Sequence, residues 1–174
     1  LIAIDEISIG KDHRYLTVVL DLLTGAVIFV GEGKGAETLD LFWQRLKCSR
    51  AKIAAVAIDM SPAYISAVSG NLPKATIVFD HFHIIKLYNE KLSDLRRSIF
   101  QKLNKSGQKV LKGTRWLLLK NSHRLRPKYQ EKQRLAKALR INTALATAYY
   151  LKEDLGQLWS QENKDQASLF LDSW

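Results

Sequence analysis

The sequence predicts an α/β protein, a mixed five-stranded sheet with interleaved helices followed by an all-helical basic segment. Two short runs, LIAI at Leu1–Ile4 and IAAVAI at Ile53–Ile58, are apolar on both faces, as buried parallel strands are. Two more, YLTVVL at Tyr15–Leu20 and AVIFV at Ala26–Val30, flank a Thr24-Gly25 turn and must therefore be antiparallel neighbours. From Ile84 to the end, strand-like alternation gives way to apolar residues at three- and four-residue steps.

In chain order, the Leu1 strand ends at Asp5, and Gly10, Lys11 and Asp12 lie in a turn-rich link to the hairpin. Gly31, Gly33 and Gly35 follow the hairpin. This run lacks the Lys-Ser/Thr of a phosphate loop and reads as a plain connection. Leu39, Phe42, Trp43 and Leu46 then share one face of a helix over Ala36–Lys47. After the Ile53 strand and Asp59, Ser61-Pro62 gives an N-cap and a first helical position, because proline has no N–H there to leave unpaired. That helix runs to about Val68 and is stopped by Gly70-Asn71 and Pro73. A fifth strand, Ala75–Phe79, is closed by Asp80. With right-handed crossovers the Leu1 and Ile53 strands lie side by side and parallel, so Asp5 and Asp59 converge at one sheet edge.

Ile84, Ile85, Tyr88, Leu92, Leu95, Ile99 and Leu103 predict one long amphipathic helix, broken at Ser106-Gly107. Further helices are expected over Lys109–Lys120, Lys128–Leu139, Thr143–Leu155 and Lys164–Leu171, with a turn at Asn121–Pro127. This divides the chain into a sheet domain over 1–83 and a helical basic segment over 84–174.

The 174 residues carry a net charge of +10, and its placement is uneven. Leu1–Asp80 holds 8 Lys and Arg against 9 Asp and Glu, whereas His81–Trp174 holds 19 against 8. Between Leu95 and Arg140 there are 15 basic residues and one acid, Glu131. Such a block favours a polyanion, and nucleic acid before membrane, since no strong Trp/Phe/Leu face accompanies it. Lys102, Lys105, Lys109, Lys112, Arg115 and Lys120 are the candidate phosphate contacts. Cys48 is the only cysteine, which excludes an internal disulfide and fits a reducing cytoplasm. No apolar run reaches the roughly 20 residues of a membrane span.

Two carboxylates at the ends of two apolar strands suit a shared Mg²⁺ or Mn²⁺ ion, which takes one or two carboxylates plus phosphate oxygens. The plain alternative makes Asp59 a turn residue and Asp5 a carboxylate paired to a lysine. His81 and His83 alternate at strand spacing beside Asp80. A zinc site of Asp80 with both histidines is conceivable, and a proton-shuttling or phosphate-contacting role for His83 is the stronger reading. Trp116, next to Arg115, is of the type that stacks on an unpaired base, but its spacing to Leu119 favours a core position.

These residues resemble the DDE-type transposases of bacterial insertion sequences, the group with a D-x-F-H block after the second aspartate. The resemblance rests on IDEIS at Ile4–Ser8, AIDMSPAY at Ala57–Tyr64, LPKATIVFDHFHIIKLYNEKLSDLRR at Leu72–Arg97 and LKGTRWLLLK at Leu111–Lys120. It implies a ribonuclease-H-like fold, with Asp5 and Asp59 matching the first and second catalytic acids and metal ligands. Asp80, Phe82 and His83 match the D-x-F-H block, near the site. The resemblance implies two metal ions in the full enzyme, transposon ends and target DNA as partners, a bacterial nucleoid setting and room for a homo-oligomer. The third acid, a glutamate in a Glu-Gly-x-Asn type block, does not occur before Trp174. It is therefore expected outside the chain, with 84–174 as the start of a helical insertion and 1–83 an incomplete catalytic core. Glu90 and Asp94 stand on the helix where uninterrupted members of the fold carry that acid. The rival expectations are a non-catalytic DNA-binding remnant, and a nuclease or resolvase on the same fold.

Overall fold

The computed structural model describes residues 1–10 and 14–174, so most of the link expected around Gly10, Lys11 and Asp12 lies outside the described residues. The chain separates into two compact units, Leu1–Ile84 and Ile85–Trp174.

The first unit is built on strands β1 (Ile2–Ser8), β2 (Tyr15–Asp21), β3 (Val27–Glu32), β4 (Ala55–Ile58) and β5 (Thr76–Phe79). Their spatial order is β3-β2-β1-β4-β5. The pairs β1–β2 and β2–β3 are antiparallel, while β1–β4 and β4–β5 are parallel. This is ribonuclease-H-like topology, with the predicted strand count, mixed character and β1–β4 adjacency.

Helices α1 (Asp40–Ser49) and α2 (Pro62–Asn71) supply apolar side chains to one face of the sheet. Ile2 and Ile4 of β1, Val19 of β2, Phe29 of β3, and Val56 and Ile58 of β4 meet Leu39, Phe42, Trp43, Tyr64 and Val68 there. Packing rather than capping holds α1. Its N-cap Leu39 makes no side-chain cap, yet Leu39, Phe42 and Trp43 are buried, worth about 1.5–3 kcal/mol per fully buried large apolar side chain. Ser61 takes the extended N-cap conformation before Pro62, as the sequence requires, though its hydroxyl makes no cap hydrogen bond.

The glycine run is more than a connection. Gly31 ends in such close quarters that an added Cβ would lie 2.6 Å from Thr38 Cγ2, and Gly33 has φ +106°, a region glycine tolerates. The Gly33 carbonyl also accepts from Thr17 Oγ1 at 2.9 Å, tying this loop to β2.

Helix α3 (His81–Lys102) begins in the first unit and continues as the first helix of the second. There follow α4 (Lys105–Leu111), α5 (Arg115–Leu119), α6 (Glu131–Leu139), α7 (Thr143–Leu155) and α8 (Lys164–Ser173), with 3-10 turns between several of them. Leu92 and Ile99 of α3, Leu111, Leu117, Leu118, Leu135, Ala138, Leu139, Leu145 and Tyr149 form the core of this second unit.

Several boundaries differ from the sequence reading: β1 runs past Asp5 to Ser8, α2 continues through Gly70 to Asn71 instead of stopping near Val68, and Ala36–Leu39 forms a 3-10 turn before α1. The long helix breaks at Leu103-Asn104, because Asn104 N-caps α4 by accepting from Gly107 N at 2.9 Å, leaving Ser106 and Gly107 inside the new helix. The expected Lys109–Lys120 helix is split by Gly113, whose φ of +72° ends helical backbone.

Candidate active site

Parallel pairing of β1 with β4 brings the stretches before Asp5 and Asp59 side by side. Ile2 stands opposite Val56 and Ala3 opposite Ala57. The parallel pairing ends there; Asp5 lies two residues beyond Ala3 along β1, and Asp59 two residues beyond Ala57, just past the end of β4. In the next pair Ile58 stands opposite Phe79, and Asp80 N donates to Ile58 O at 2.9 Å. Asp59 and Asp80 thus follow the carboxyl ends of β4 and β5, whereas Asp5 stands inside β1, which runs on to Ser8, paired to β2, instead of ending at Asp5 as the sequence reading expects.

Local hydrogen bonds orient each carboxylate. Exposed Asp5 accepts from Glu6 N at 2.8 Å through Oδ1. Half-buried Asp59 accepts from Ser61 N at 2.9 Å, fixing the turn that leads into α2. Asp80 accepts from Phe82 N at 2.9 Å at the start of α3. Each uses one oxygen, so each presents a second to whatever binds at the edge.

Behind this edge, Tyr64 in the first turn of α2 is 1% exposed, and its hydroxyl lies 3.0 Å from Thr17 Oγ1. Burial pushes the Tyr64 pKa well up. The Thr17 hydrogen bond works the other way, and the negative charges of Glu6 and Asp59 add to the rise. Tyr64 is therefore a fixed neutral hydroxyl that ties β2 to the helix following Asp59. Sequence reading missed this role; the signal was a tyrosine on the apolar face of α2, three residues into the helix.

His81 and His83 do not alternate along a strand as expected. The helix starts at His81 itself, since Asp80 serves as its N-cap, and the two rings leave a helical turn in different directions. His81 Nδ1 lies 3.6 Å from Asp80 Oδ1 and His83 Nε2 lies 3.9 Å from Asp80 Oδ2, close polar neighbours rather than hydrogen-bonded ligands. Phe82 is 61% exposed, with its ring edge-on to His83 at 5.5 Å. Among the described residues, no three His, Cys, Asp or Glu side chains converge tightly enough to hold a metal ion by themselves. Hard carboxylate oxygens at an exposed edge still suit Mg²⁺ or Mn²⁺, which completes its shell with water and phosphate oxygens.

In the second unit, Lys102, Lys105, Lys109, Lys112 and Arg115 are exposed on α3, α4 and α5 or at their ends. Lys120 is not comparable with them. Its half-buried ammonium donates to both Glu131 oxygens at 2.7 and 2.8 Å. Trp116 is the reverse case, because it is 65% exposed instead of packed in the core. Leu117 and Leu118 take the buried positions of the short α5, which leaves the Trp116 face outward.

Comparison with known proteins bears on all of this. A family model for DDE transposases of the ISL3 type, described as "Transposase", matches residues 2–174. The chain is 34% identical over 178 residues to the transposase of insertion sequence element IS1001 from Bordetella parapertussis, covering 99% of this chain and 43% of that protein. It is 29% identical over 197 residues to the IS1557 transposase of Mycobacterium tuberculosis, covering 99% of this chain and 44% of that protein. The chain therefore spans less than half the length of these relatives.

Proposed function

Because the chain belongs to the ISL3 family of DDE transposases, we propose that it contributes the first two catalytic acids, Asp5 and Asp59, of an enzyme that cleaves and joins DNA strands. The observation that supports this reading is the parallel pairing of β1 with β4, in which Ala3 stands opposite Ala57, each two residues before one of the aspartates. An exposed and a half-buried carboxylate there, each with a free oxygen, are suited to hold Mg²⁺ or Mn²⁺ against a phosphodiester. Such ions, two in the full enzyme, stabilise charge on the attacking and leaving oxygens.

The chain's own residues do the positioning. Ser61 N holds the Asp59 carboxylate in its turn, and Tyr64 anchors the helix behind it to β2 through Thr17. Asp80 and His83 stand beside the site, where His83 is placed to contact phosphate or pass a proton. Residues 1–83 are on this reading an incomplete ribonuclease-H-like core, and 84–174 the start of a helical insertion.

Lys102, Lys105, Lys109, Lys112 and Arg115 offer exposed positive charge for the phosphates of transposon ends and target DNA. Lys120 belongs to the Glu131 ion pair and stands apart from this set. The setting is the bacterial cytoplasm, and assembly into a homo-oligomer is compatible with the reading.

The test is a chain extended to the length of its relatives, incubated with transposon-end DNA and Mg²⁺ or Mn²⁺. Strand cleavage and joining are expected, and each should be lost with Asp5→Asn and with Asp59→Asn. Activity that survives both substitutions would remove the two aspartates from the chemistry. Cleavage without joining would favour a nuclease instead.

A further inference from the structure

Each half of the chain holds one stretch whose charge runs against its surroundings. In the near-neutral first half, Arg45, Lys47, Arg50 and Lys52 stand between Leu41 and Ile58 with no acid among them. In the basic half, five of the eight acids fall in the last 22 residues, Glu153–Trp174, against one base, Lys164.

The basic stretch lines a cleft of about 190 Å³ at the C-terminal ends of α1 and α2. Its walls are Trp43, Leu46, Ala51 and Leu72, with Lys47, Arg50 and Asn71 completing them. Trp43 is buried and Leu46 and Leu72 are half-buried, whereas Lys47 and Arg50 are exposed. The depth of the cleft is therefore apolar and its rim positive. Two full positive charges outweigh the partial negative charge of the α1 C-terminus, and no carboxylate lines the cleft.

The acidic stretch carries the complementary shape. Asp165, Leu169 and Asp172 follow one another at steps of four and three residues along α8, so they share one face. Leu169 is 69% exposed, and the exposed acids on either side of it stand about 10 Å apart along the helix axis. None of Lys47, Arg50, Asp165 and Asp172 has an ion-pair partner among the described residues.

We propose that α8 of a second copy of this chain docks in the α1–α2 cleft, with Leu169 in its apolar depth and Asp165 and Asp172 against Lys47 and Arg50. A nucleic-acid phosphate would match the rim but leave the apolar depth unfilled, whereas a leucine between two carboxylates matches both. Each copy carries the cleft and the helix, so two copies form a closed dimer in which the contact is made twice. The contact is independent of the chemistry at Asp5 and Asp59, and its failure leaves that reading untouched.

The test is sedimentation velocity on the chain Leu1–Trp174 over a concentration series. Wild type is expected to pass from monomer to dimer as concentration rises. Leu169→Ala removes a side chain that is exposed in the monomer and should raise the dimer dissociation constant about ten-fold. Two charge reversals probe the rim: Lys47→Glu with Arg50→Glu in the cleft, and Asp165→Lys with Asp172→Lys on the helix. Each reversed chain alone should stay monomeric where wild type is dimeric, because like charges then face one another. An equal mixture of the two should dimerise again, since both contacts then join opposite signs. Wild type that stays monomeric leaves the cleft to a different partner and overturns the proposal. A dimer that survives either reversal runs through another surface and also overturns it. So does a mixture that stays monomeric while both reversed chains melt at the wild-type temperature.

Discussion

At the scale of single residues, the basic half of the chain contains two charges that hold the fold. Glu131 is the one acid among 15 basic residues between Leu95 and Arg140, and it is buried. The hydrogen bond from Lys120, then the one from Arg126 N at 2.8 Å, hold its carboxyl below the ordinary 4.5, while burial works against them. A depressed folded pKa gives stabilisation that is complete above the unfolded value and lost as pH falls through the folded one. The melting temperature should therefore fall as pH drops below 4.5. Glu131→Gln should melt lower than wild type at neutral pH and lack that part of the acid slope; an unchanged slope would mean the pair contributes nothing. Lys152 is the second case, 4% exposed, donating to Leu118 O and Lys120 O and forming an ion pair with Glu153 Oε1 at 2.9 Å. Lys152→Met leaves Glu153 and two carbonyls short of a donor and should cost about 3–5 kcal/mol in urea unfolding. Neither role was legible in the sequence. Counting charges marks Lys120 as a phosphate contact, because nothing local shows that Glu131, across a turn, returns to meet it. Trp116 failed for the opposite reason: its spacing to Leu119 is helical, but a five-residue helix buries only part of its circumference.

At the scale of elements, the strands, the β2–β3 hairpin and the β1–β4 adjacency were readable because two-sided apolar runs and a Thr-Gly turn leave few pairings. The helix ends were readable only where the capping residue outweighed composition. Ser61-Pro62 placed the start of α2, whereas Ser106-Gly107 drew attention from Asn104, the better N-cap three residues upstream of Gly107. The glycine run shows most clearly what a sequence cannot display, namely what lies across from a residue. At Gly31 a methyl group would meet Thr38 Cγ2 at 2.6 Å and the Thr38 backbone oxygen at 3.0 Å. At Gly35 the three nearest atoms all belong to the Glu37 side chain, whose flexible end can swing aside. Gly31→Ala should therefore destabilise by about 1–3 kcal/mol, and Gly35→Ala should be close to neutral. Equal denaturation midpoints for the two variants would return the loop to a plain flexible connection.

At the scale of the whole molecule, the chain joins a sheet unit that carries Asp5 and Asp59 to a helical unit rich in positive charge. Asp59 was legible as the residue that follows an apolar strand, whereas the strand end expected at Asp5 is not one, because β1 runs on past it to Ser8, paired to β2. The third acid was not, since no local pattern before Trp174 matches its block. Glu90 and Asp94 are the candidates inside the chain. Both are exposed on α3, and Asp94 is already paired with Arg97 at 3.2 Å. Two aspartates can recruit an ion, but two-ion phosphoryl transfer needs both ions fixed by further carboxylate ligation. Residues Leu1–Trp174 alone should bind Mn²⁺ or Mg²⁺ weakly, on the order of millimolar, and should neither cut nor join DNA. Calorimetric titration with Mn²⁺ and a nicking assay on supercoiled DNA measure the two halves of this expectation. Metal-dependent nicking that disappears with Asp59→Ala, and also with Glu90→Ala or Asp94→Ala, would put the third acid on α3 and make the helical unit no insertion. No nicking by this chain, together with cleavage and joining by the extended one, would place the missing ligand beyond Trp174.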